Sequence, residues 1–101
     1  MSLKKQKTTD LLTICMKAGK IAKGFDNAKE AILNNKAYCI LVAADASSKT
    51  VKEIRFFSER NNVPIIITEL EKSDIGRLNS KETAVIAICD KGFAEGFSKI
   101  K

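Results

Sequence analysis

Histidine and tryptophan are both absent from this sequence of 101 residues, which also has only one proline and one tyrosine. Without histidine the chain lacks the commonest general base of enzymes and the usual partner of serine and cysteine nucleophiles. The sequence also argues against an RNA-binding module that stacks single-stranded bases on aromatic rings, because most of the five phenylalanines follow the spacing of a helical core. No pair of carboxylates is recognisable that could act as general acid and base in place of histidine. We therefore expect neither catalytic residues nor enzymatic activity.

Cysteine is scarce and widely spaced. Cys15, Cys39 and Cys89 each lie inside an apolar segment, and no Cys-x-x-Cys pair occurs. Isolated cysteines in apolar surroundings are typical of buried, reduced thiols, whereas a zinc site needs clustered cysteine or histidine ligands. We therefore predict no metal site and no cofactor.

Long hydrophobic runs are missing as well, since no run approaches the ~20 residues of a membrane-spanning helix. The basic segment 1–7 is not followed directly by an apolar stretch, as a secretory signal would be. These features predict a cytoplasmic protein with no membrane partner.

A composition of 45% hydrophobic and 30% charged residues is typical of a folded chain. We expect a single domain over residues 1–101, in which residues 1–7 form a flexible basic tail.

Negative charge is scarce in the first third of the chain. The net charge is +6, and residues 1–36 contain eight lysines against three carboxylates, a balance of +5. A basic surface of this kind attracts polyanions, with RNA or DNA as the first candidates. The alternative is a solvated, lysine-rich surface without a specific partner.

Apolar runs at about 38–44, 63–68 and 83–89 have the pattern of strands that are buried on both faces. Amphipathic helical patterns separate them, and we expect a short additional strand at residues 21–23. We expect Leu41, Ile66, Ile86, Ile54 and Phe93 in the core. This alternation predicts a parallel-rich sheet with helices on both faces.

The expected helix starts are a cap at Thr8-Thr9-Asp10, a second helix from about Asn27, a cap at Asp45–Ser48, a capping box at Thr68–Glu71 and a cap at Asp90.

Gly24 stands between two lysine-rich segments, directly before the second predicted helix. Glycine permits close backbone approach, and the free N–H groups at a helix N-terminus attract anions. Asp26 and Asn27 add side chains that are able to bond base edges. We therefore predict a phosphate-facing turn, although the turn is also explained if Asp26 caps the helix and Gly24 is only a joint.

Several motifs occur in an order and spacing that resemble the large-subunit ribosomal protein seven-Ae superfamily, most of all its small bacterial, ribosomal-protein-like branch. They are "AGK…G" before the second helix, then "ILVAADAS", "NNVPI", "IGRLNSKETAVIAI" and "DKGFA". The resemblance covers about 8–97. It implies an α/β fold, a three-layer α/β/α sandwich, for which we expect a mixed, largely parallel central sheet.

The resemblance also implies binding to kink-turn RNA, a sharply bent helix–bulge–helix element with sheared G·A pairs. The family's RNA-binding turn is Gly-x-Asn-Glu-x-x-Lys, and Gly24 matches its glycine. Asp26, Asn27 and Glu30 depart from it at the asparagine, glutamate and lysine positions. The family's second contact is the loop before the last strand, here 79–83. The predicted RNA-binding residues are Lys20, Lys23, Gly24, Asp26, Asn27, Lys29, Ser80 and Lys81.

The expected function is therefore non-catalytic binding of structured RNA of the kink-turn type by a ribosome-associated protein, with ribosomal RNA as one candidate and no DNA partner. Two alternatives remain open. Glu30 cannot replace a lysine against phosphate, which favours a protein-interaction or regulatory module that kept the fold and lost the RNA. The second alternative is an enzyme that acts on a phosphorylated small molecule at Gly24, for which the sequence has no supporting residues.

Overall fold

Helices and strands alternate along the chain in the computed structural model, which describes residues 2–79 and 81–100. None of the helices in these ranges is long and apolar enough to cross a membrane. In chain order the elements are α1 (Leu3–Lys17), β1 (Ile21–Lys23), α2 (Phe25–Leu33), β2 (Cys39–Val42), α3 (Ser48–Arg60), β3 (Ile65–Ile67), α4 (Lys72–Asn79), β4 (Val85–Ile88) and α5 (Lys91–Ser98).

The four strands form one mixed sheet in the order β1-β4-β2-β3. β2 pairs with β3 in parallel, with Leu41 opposite Ile66. β4 runs antiparallel to both of its neighbours, so that Ile86 lies opposite Leu41 on one side and Lys23 on the other. The expected mixed sheet is confirmed, but it is not largely parallel, because two of the three pairings are antiparallel. Burial on both faces makes a strand continuously apolar whatever its direction, so the pattern carried no information about direction.

Two apolar clusters cover the two faces of this sheet, which confirms the predicted α/β/α layers. One cluster joins β2 and β4 to α1, α4 and α5, through residues such as Leu12, Leu41 and Ile86. The other joins the opposite side of the same strands to α2 and α3, through residues such as Ile32 and Ile54. The central strands β2 and β4 are buried along their whole length.

The predicted core residues are only partly confirmed. Leu41, Ile54 and Ile86 are fully buried, whereas Ile66 and Phe93 are half-buried against the first cluster. Ile66 lies on β3, which is an edge strand, so its run of three isoleucines is less covered than the sequence pattern indicates. An apolar run predicts a strand well but does not show whether the strand lies at the centre or the edge of a sheet.

Two predicted helix starts are wrong. The side chain of Ser2 caps α1 by accepting from the backbone N–H of Lys5, and Thr8 lies one turn inside the helix, so residues 3–7 are helix and not a flexible tail. Lys5 also bonds Asp74 of α4 at 3.0 Å. The backbone N–H of Glu71 and the Lys5 ammonium hold the pKa of Asp74 below its usual value. This contact fastens the first turn of α1 to the body of the protein.

The fourth helix begins at Lys72, later than the capping box predicts. The hydroxyl of Thr68 donates to the carbonyl of Val42 and accepts from the N–H of Leu70, so it does not cap a helix. The cap positions at Ser47 and Asp90 are confirmed, because each side chain accepts from a backbone N–H of the following first turn. The local sequence pattern was correct where no tertiary contact competed for the capping side chain.

The cysteine side chains lie against the sheet. Cys15 and Cys39 are buried and Cys89 is half-buried, all as free thiols. Burial raises the pKa of Cys15 to about 11 and of Cys39 to about 12, and it also raises the pKa of Cys89. A raised pKa lowers the fraction of reactive thiolate at neutral pH.

We expect the native protein to react slowly with a thiol reagent. At pH 8 a pKa about two units above normal lowers the thiolate fraction of Cys15 about a hundred-fold, and burial slows its reaction further. Cys89, which is the most accessible of the three, should react first. The measurement compares thiol modification with and without urea, and equal rates in both conditions would contradict the prediction.

Candidate functional site

One edge of the sheet brings together two loops that are distant in sequence. Gly24, directly after β1, donates its N–H to the carbonyl of Val85 at 2.9 Å. The loop before β4 lies beside it, and the two segments enclose a cleft of about 90 Å³. The cleft is lined by Lys23, Gly24, Lys81, Glu82 and Thr83. The two predicted contact segments, the Gly24 turn and residues 79–83, therefore meet, although Ser80 lies outside the described residues.

Gly24 has a backbone conformation that only glycine adopts readily. Its φ is 89° and its ψ is 161°, a combination that is strained for residues with a Cβ. Space is not the constraint, because a Cβ at this position would lie 3.9 Å from the hydroxyl of Thr83, an ordinary contact. Gly24 is the N-cap of α2 and provides no capping side chain, so the first N–H groups of the helix stay available beside the cleft.

Asn27 lies in the first turn of α2 with its amide facing the turn. Its Nδ2 donates to the carbonyl of Lys23 at 2.9 Å. Since that carbonyl can only accept, the hydrogen bond fixes which end of the amide is nitrogen, and it leaves the Asn27 Oδ1 as an acceptor. Asn27 thus combines a positioned side chain with a group that is able to meet a base edge.

Asp26 does not cap the helix. The cap position belongs to Gly24, and Asp26 is exposed one residue into the first turn, where a carboxylate interacts favourably with the helix dipole. The interpretation of Asp26 as a simple capping residue is therefore wrong. Its carboxylate lies beside the N-terminal N–H groups of α2, on the surface next to Asn27.

The three predicted lysines near the turn are not in one place. Lys23 lines the cleft. Lys20 lies before β1, where its carbonyl accepts from the N–H of Cys89. The three residues of β1 separate it from Gly24, a distance of about 13 Å for extended chain. Lys29 faces α3, with its Nζ 4.6 Å from the centre of the Phe57 ring. Of these lysines the structure places only Lys23 at the turn.

Glu82 and Thr83 belong to the predicted contact loop 79–83 but not to the predicted RNA-binding residues, and both line the cleft with Lys81. Glu82 packs directly over α4, since a Cβ on Gly76 would lie 2.9 Å from the Glu82 Cγ and 3.2 Å from its backbone nitrogen. Gly76 therefore allows the loop to lie close to α4 and beside Gly24. A glycine within a predicted helix is a sequence signal for such close approach.

The family comparison agrees with this architecture. A model of the Ribosomal protein L7Ae/L30e/S12e/Gadd45 family matches residues 6–98, almost the whole chain. The chain belongs to this family. It is 35% identical over 92 residues to RNA-binding protein YlxQ of Enterococcus faecium, covering 90% of this chain and 87% of that protein. It is 34% identical over 85 residues to RNA-binding protein YlxQ of Bacillus subtilis (strain 168), covering 83% and 84%.

Solved structures show the same fold at lower sequence similarity. A protein of unknown function from Bacillus halodurans superposes with a TM-score of 0.85 at 20% identity, over 91% of this chain and 93% of that one. The Giardia lamblia 15.5kD RNA binding protein superposes with a TM-score of 0.78, also at 20% identity, over 99% and 86%. Both likenesses establish the α/β/α fold of this family member.

The three positions that depart from the family motif lie within the first two turns of α2. Asp26, Asn27 and Glu30 are all exposed. Glu30 lies one turn after Asn27, and both line a shallow groove of about 490 Å³ that also includes Lys23 and Lys36. A carboxylate at this position is therefore presented on the same surface as the turn, where it lowers the attraction for phosphate. Among the described residues no cluster of side chains is suited to hold a metal ion.

Proposed function

We propose that this protein binds structured RNA of the kink-turn type, without catalysis, through the surface around Gly24. The observation that carries the proposal is the meeting of the Gly24 turn and the loop 81–83 at one cleft, with lysines from both segments. RNA-binding relatives and the family match support RNA as the partner.

Each part of the surface has a separate role in this proposal. Lys23 and Lys81 neutralise phosphates, and the free N–H groups of α2 add hydrogen bonds to phosphate oxygens. The Oδ1 of Asn27 accepts from the exposed donor edge of a guanine in the bent region. Phosphate contacts position the RNA, whereas the base contact distinguishes the kinked RNA from a straight duplex.

The test is a titration of variants against a kink-turn RNA and a straight duplex of equal length at two salt concentrations. We expect Asn27→Ala to cost ~1–3 kcal/mol on the kink-turn and little on the duplex, because it removes a base contact. Lys23→Ala should weaken binding to both RNAs and reduce the salt dependence by about one ion. Lys20→Ala is the matched lysine control at the other end of β1 and should change little.

If the proposal is correct, the parent protein binds the kink-turn RNA more tightly than the straight duplex. If the parent binds both RNAs equally and Asn27→Ala behaves like the parent, the turn is only a joint between β1 and α2, and the proposed site is wrong. Loss of affinity in Lys20→Ala equal to that in Lys23→Ala would instead indicate diffuse electrostatic attraction.

Glu30→Lys should strengthen binding to the kink-turn RNA. The substitution replaces a carboxylate on the proposed RNA surface by a cation that is able to contact phosphate, so the salt dependence should increase by about one ion or more. Glu95→Lys on α5 makes the same change in net charge at an exposed position on the opposite face of the sheet. An equal gain in both variants would mean that Glu30 does not lie at the RNA surface.

The exposed carboxylate of Glu30 also favours a second candidate, a protein-interaction or regulatory module that kept this fold. Retention of RNA from cell extract in a salt-sensitive manner separates the two, because a protein-interaction module retains none. Association with the ribosome and a cytoplasmic location belong to the RNA-binding proposal and rest on the family.

A further inference from the structure

A groove between α2 and α3 has no role in the site around Gly24. It measures about 450 Å³, a volume within the ~300–1,000 Å³ that ligand pockets commonly have. Hereafter we name it the α2–α3 groove. It is lined by Phe25, Lys29, Lys52, Glu53, Phe56 and Phe57.

Each helix supplies to this groove an aromatic ring and a lysine that are spaced by one helical turn, and α3 adds a second ring, Phe57. On α2 these are Phe25 and Lys29, and on α3 they are Lys52 and Phe56, so that both pairs lie on one face of their helix. Phe57 packs into the core cluster below the groove. The groove therefore combines ring surface with two cations.

Phe56 is exposed over 54% of its surface, whereas the other four phenylalanines are buried or half-buried. Its ring meets Phe57 edge to face at 5.2 Å, and the Arg60 guanidinium lies 5.0 Å from its centre. The guanidinium lies over the ring and Phe57 meets it edge to face, and the remaining surface of Phe56 stays open to solvent. A positioned, exposed ring beside cations is the arrangement with which proteins stack unpaired bases and follow the RNA backbone.

The charge of the α2–α3 groove indicates what occupies it. Lys29, Lys52 and Arg60 surround the rings, and the carboxylate of Glu53 is 3.9 Å from Lys49. Such an excess of cations is complementary to a polyanion. The groove begins next to the proposed RNA surface, because its lining residue Phe25 follows Gly24 directly and begins α2.

We propose that the α2–α3 groove holds an unpaired nucleotide of the bound RNA, with its base stacked on Phe56 and its phosphates near Lys29 and Lys52. The proposal rests on RNA binding at the Gly24 turn and extends it to a single-stranded segment that leaves the bent element. It gives Lys29 a phosphate contact at the groove, away from the turn.

The experiment measures affinity for a kink-turn RNA with three ends: blunt, with a single-stranded oligoadenosine tail, and with an abasic tail of the same charge. Free oligoadenosine and its abasic equivalent are measured in parallel. We expect the base-containing tail to bind about 5- to 100-fold more tightly than the abasic one, since stacking needs the base. Phe56→Ala and Phe56→Leu should both abolish that difference and keep the preference for the kink-turn over a duplex.

Two control variants complete the test. Ile14→Ala removes an equally exposed apolar side chain from α1 on the other face of the sheet and should behave like the parent. Lys52→Ala should weaken binding of both tails equally and lower the salt dependence. Phe56→Leu keeps an apolar side chain, so a loss shared by Phe56→Ala and Phe56→Leu reports the ring and not the fold.

Equal binding of base-containing and abasic tails by the parent overturns the proposal. A protein partner is then the remaining candidate for the groove. A tail difference that persists in both Phe56 variants overturns it as well. Failure of RNA recognition at the turn has a separate signature, namely no preference for the kink-turn together with an intact difference between oligoadenosine and its abasic equivalent.

Discussion

Truncating Ile86 to alanine should lower the free energy of unfolding by ~2–5 kcal/mol, the usual cost of removing buried aliphatic atoms and leaving a cavity. Ile86 is fully buried at the middle of β4 and packs in the cluster shared with α1, α4 and α5. Leu41→Ala on β2 should have an effect of the same size, because Leu41 lies opposite Ile86 in the sheet. Urea-induced unfolding of each variant measures the effect.

Ile67→Ala is the matched control for these core variants. Ile67 lies on the edge strand β3 and is 49% exposed, so its truncation should cost less than ~1 kcal/mol. Because Leu41 and Ile86 are direct neighbours, the double variant should not lose the sum of the single effects. A loss below ~1 kcal/mol for Ile86→Ala would contradict its central position.

Gly24→Ala should reduce both stability and RNA affinity. The φ of 89° with a ψ of 161° is strained for alanine, which should cost ~1–3 kcal/mol of unfolding free energy. The same strain moves the first turn of α2 and Asn27, so affinity for the kink-turn should fall by a further ~1–3 kcal/mol, comparable with loss of a base contact. Urea unfolding and the titration with kink-turn RNA measure the two effects separately.

Gly19→Ala provides the control for backbone strain alone. Gly19 also has a positive φ, of 70°, and a Cβ there would have no atom within 4 Å. It lies at the other end of β1, so its substitution should lower stability and leave the affinity of the folded protein unchanged. Equal losses of affinity in both glycine variants would mean that reduced folding, and not the turn, explains the effect of Gly24→Ala.

The start of α1 shows how one local pattern overrides another. Thr8, Thr9 and Asp10 have the side chains of a helix cap, yet the helix begins at Leu3 because Ser2 caps it, and the Thr8 and Thr9 hydroxyls donate to carbonyls one turn earlier. The ion pair between Lys5 and Asp74 of α4 also holds this first turn, and Asp74 lies outside any window around residue 8. The cap at Asp90 was predictable because its partner, the N–H of Phe93, lies three residues away.

The exposure of Phe56 was recognisable from the sequence. Val51, Ile54 and Phe57 share the face of α3 that packs against the sheet, and this spacing leaves Phe56 to one side. An aromatic residue outside the apolar face of a helix indicates exposure. The cations around the ring were less apparent, because Lys29 comes from another helix.

The sequence by itself determined the alternation of helices and strands, the apolar centres of β2 and β4 and the glycine before α2, because local periodicity and backbone preference act within a few residues. Only the tertiary structure decided that β4 runs antiparallel between β1 and β2, that the loop 81–83 meets Gly24, and that Lys23, but neither Lys20 nor Lys29, lies at the turn. Strand direction and the meeting of distant loops depend on how whole elements pack, and many packings are compatible with the same local pattern.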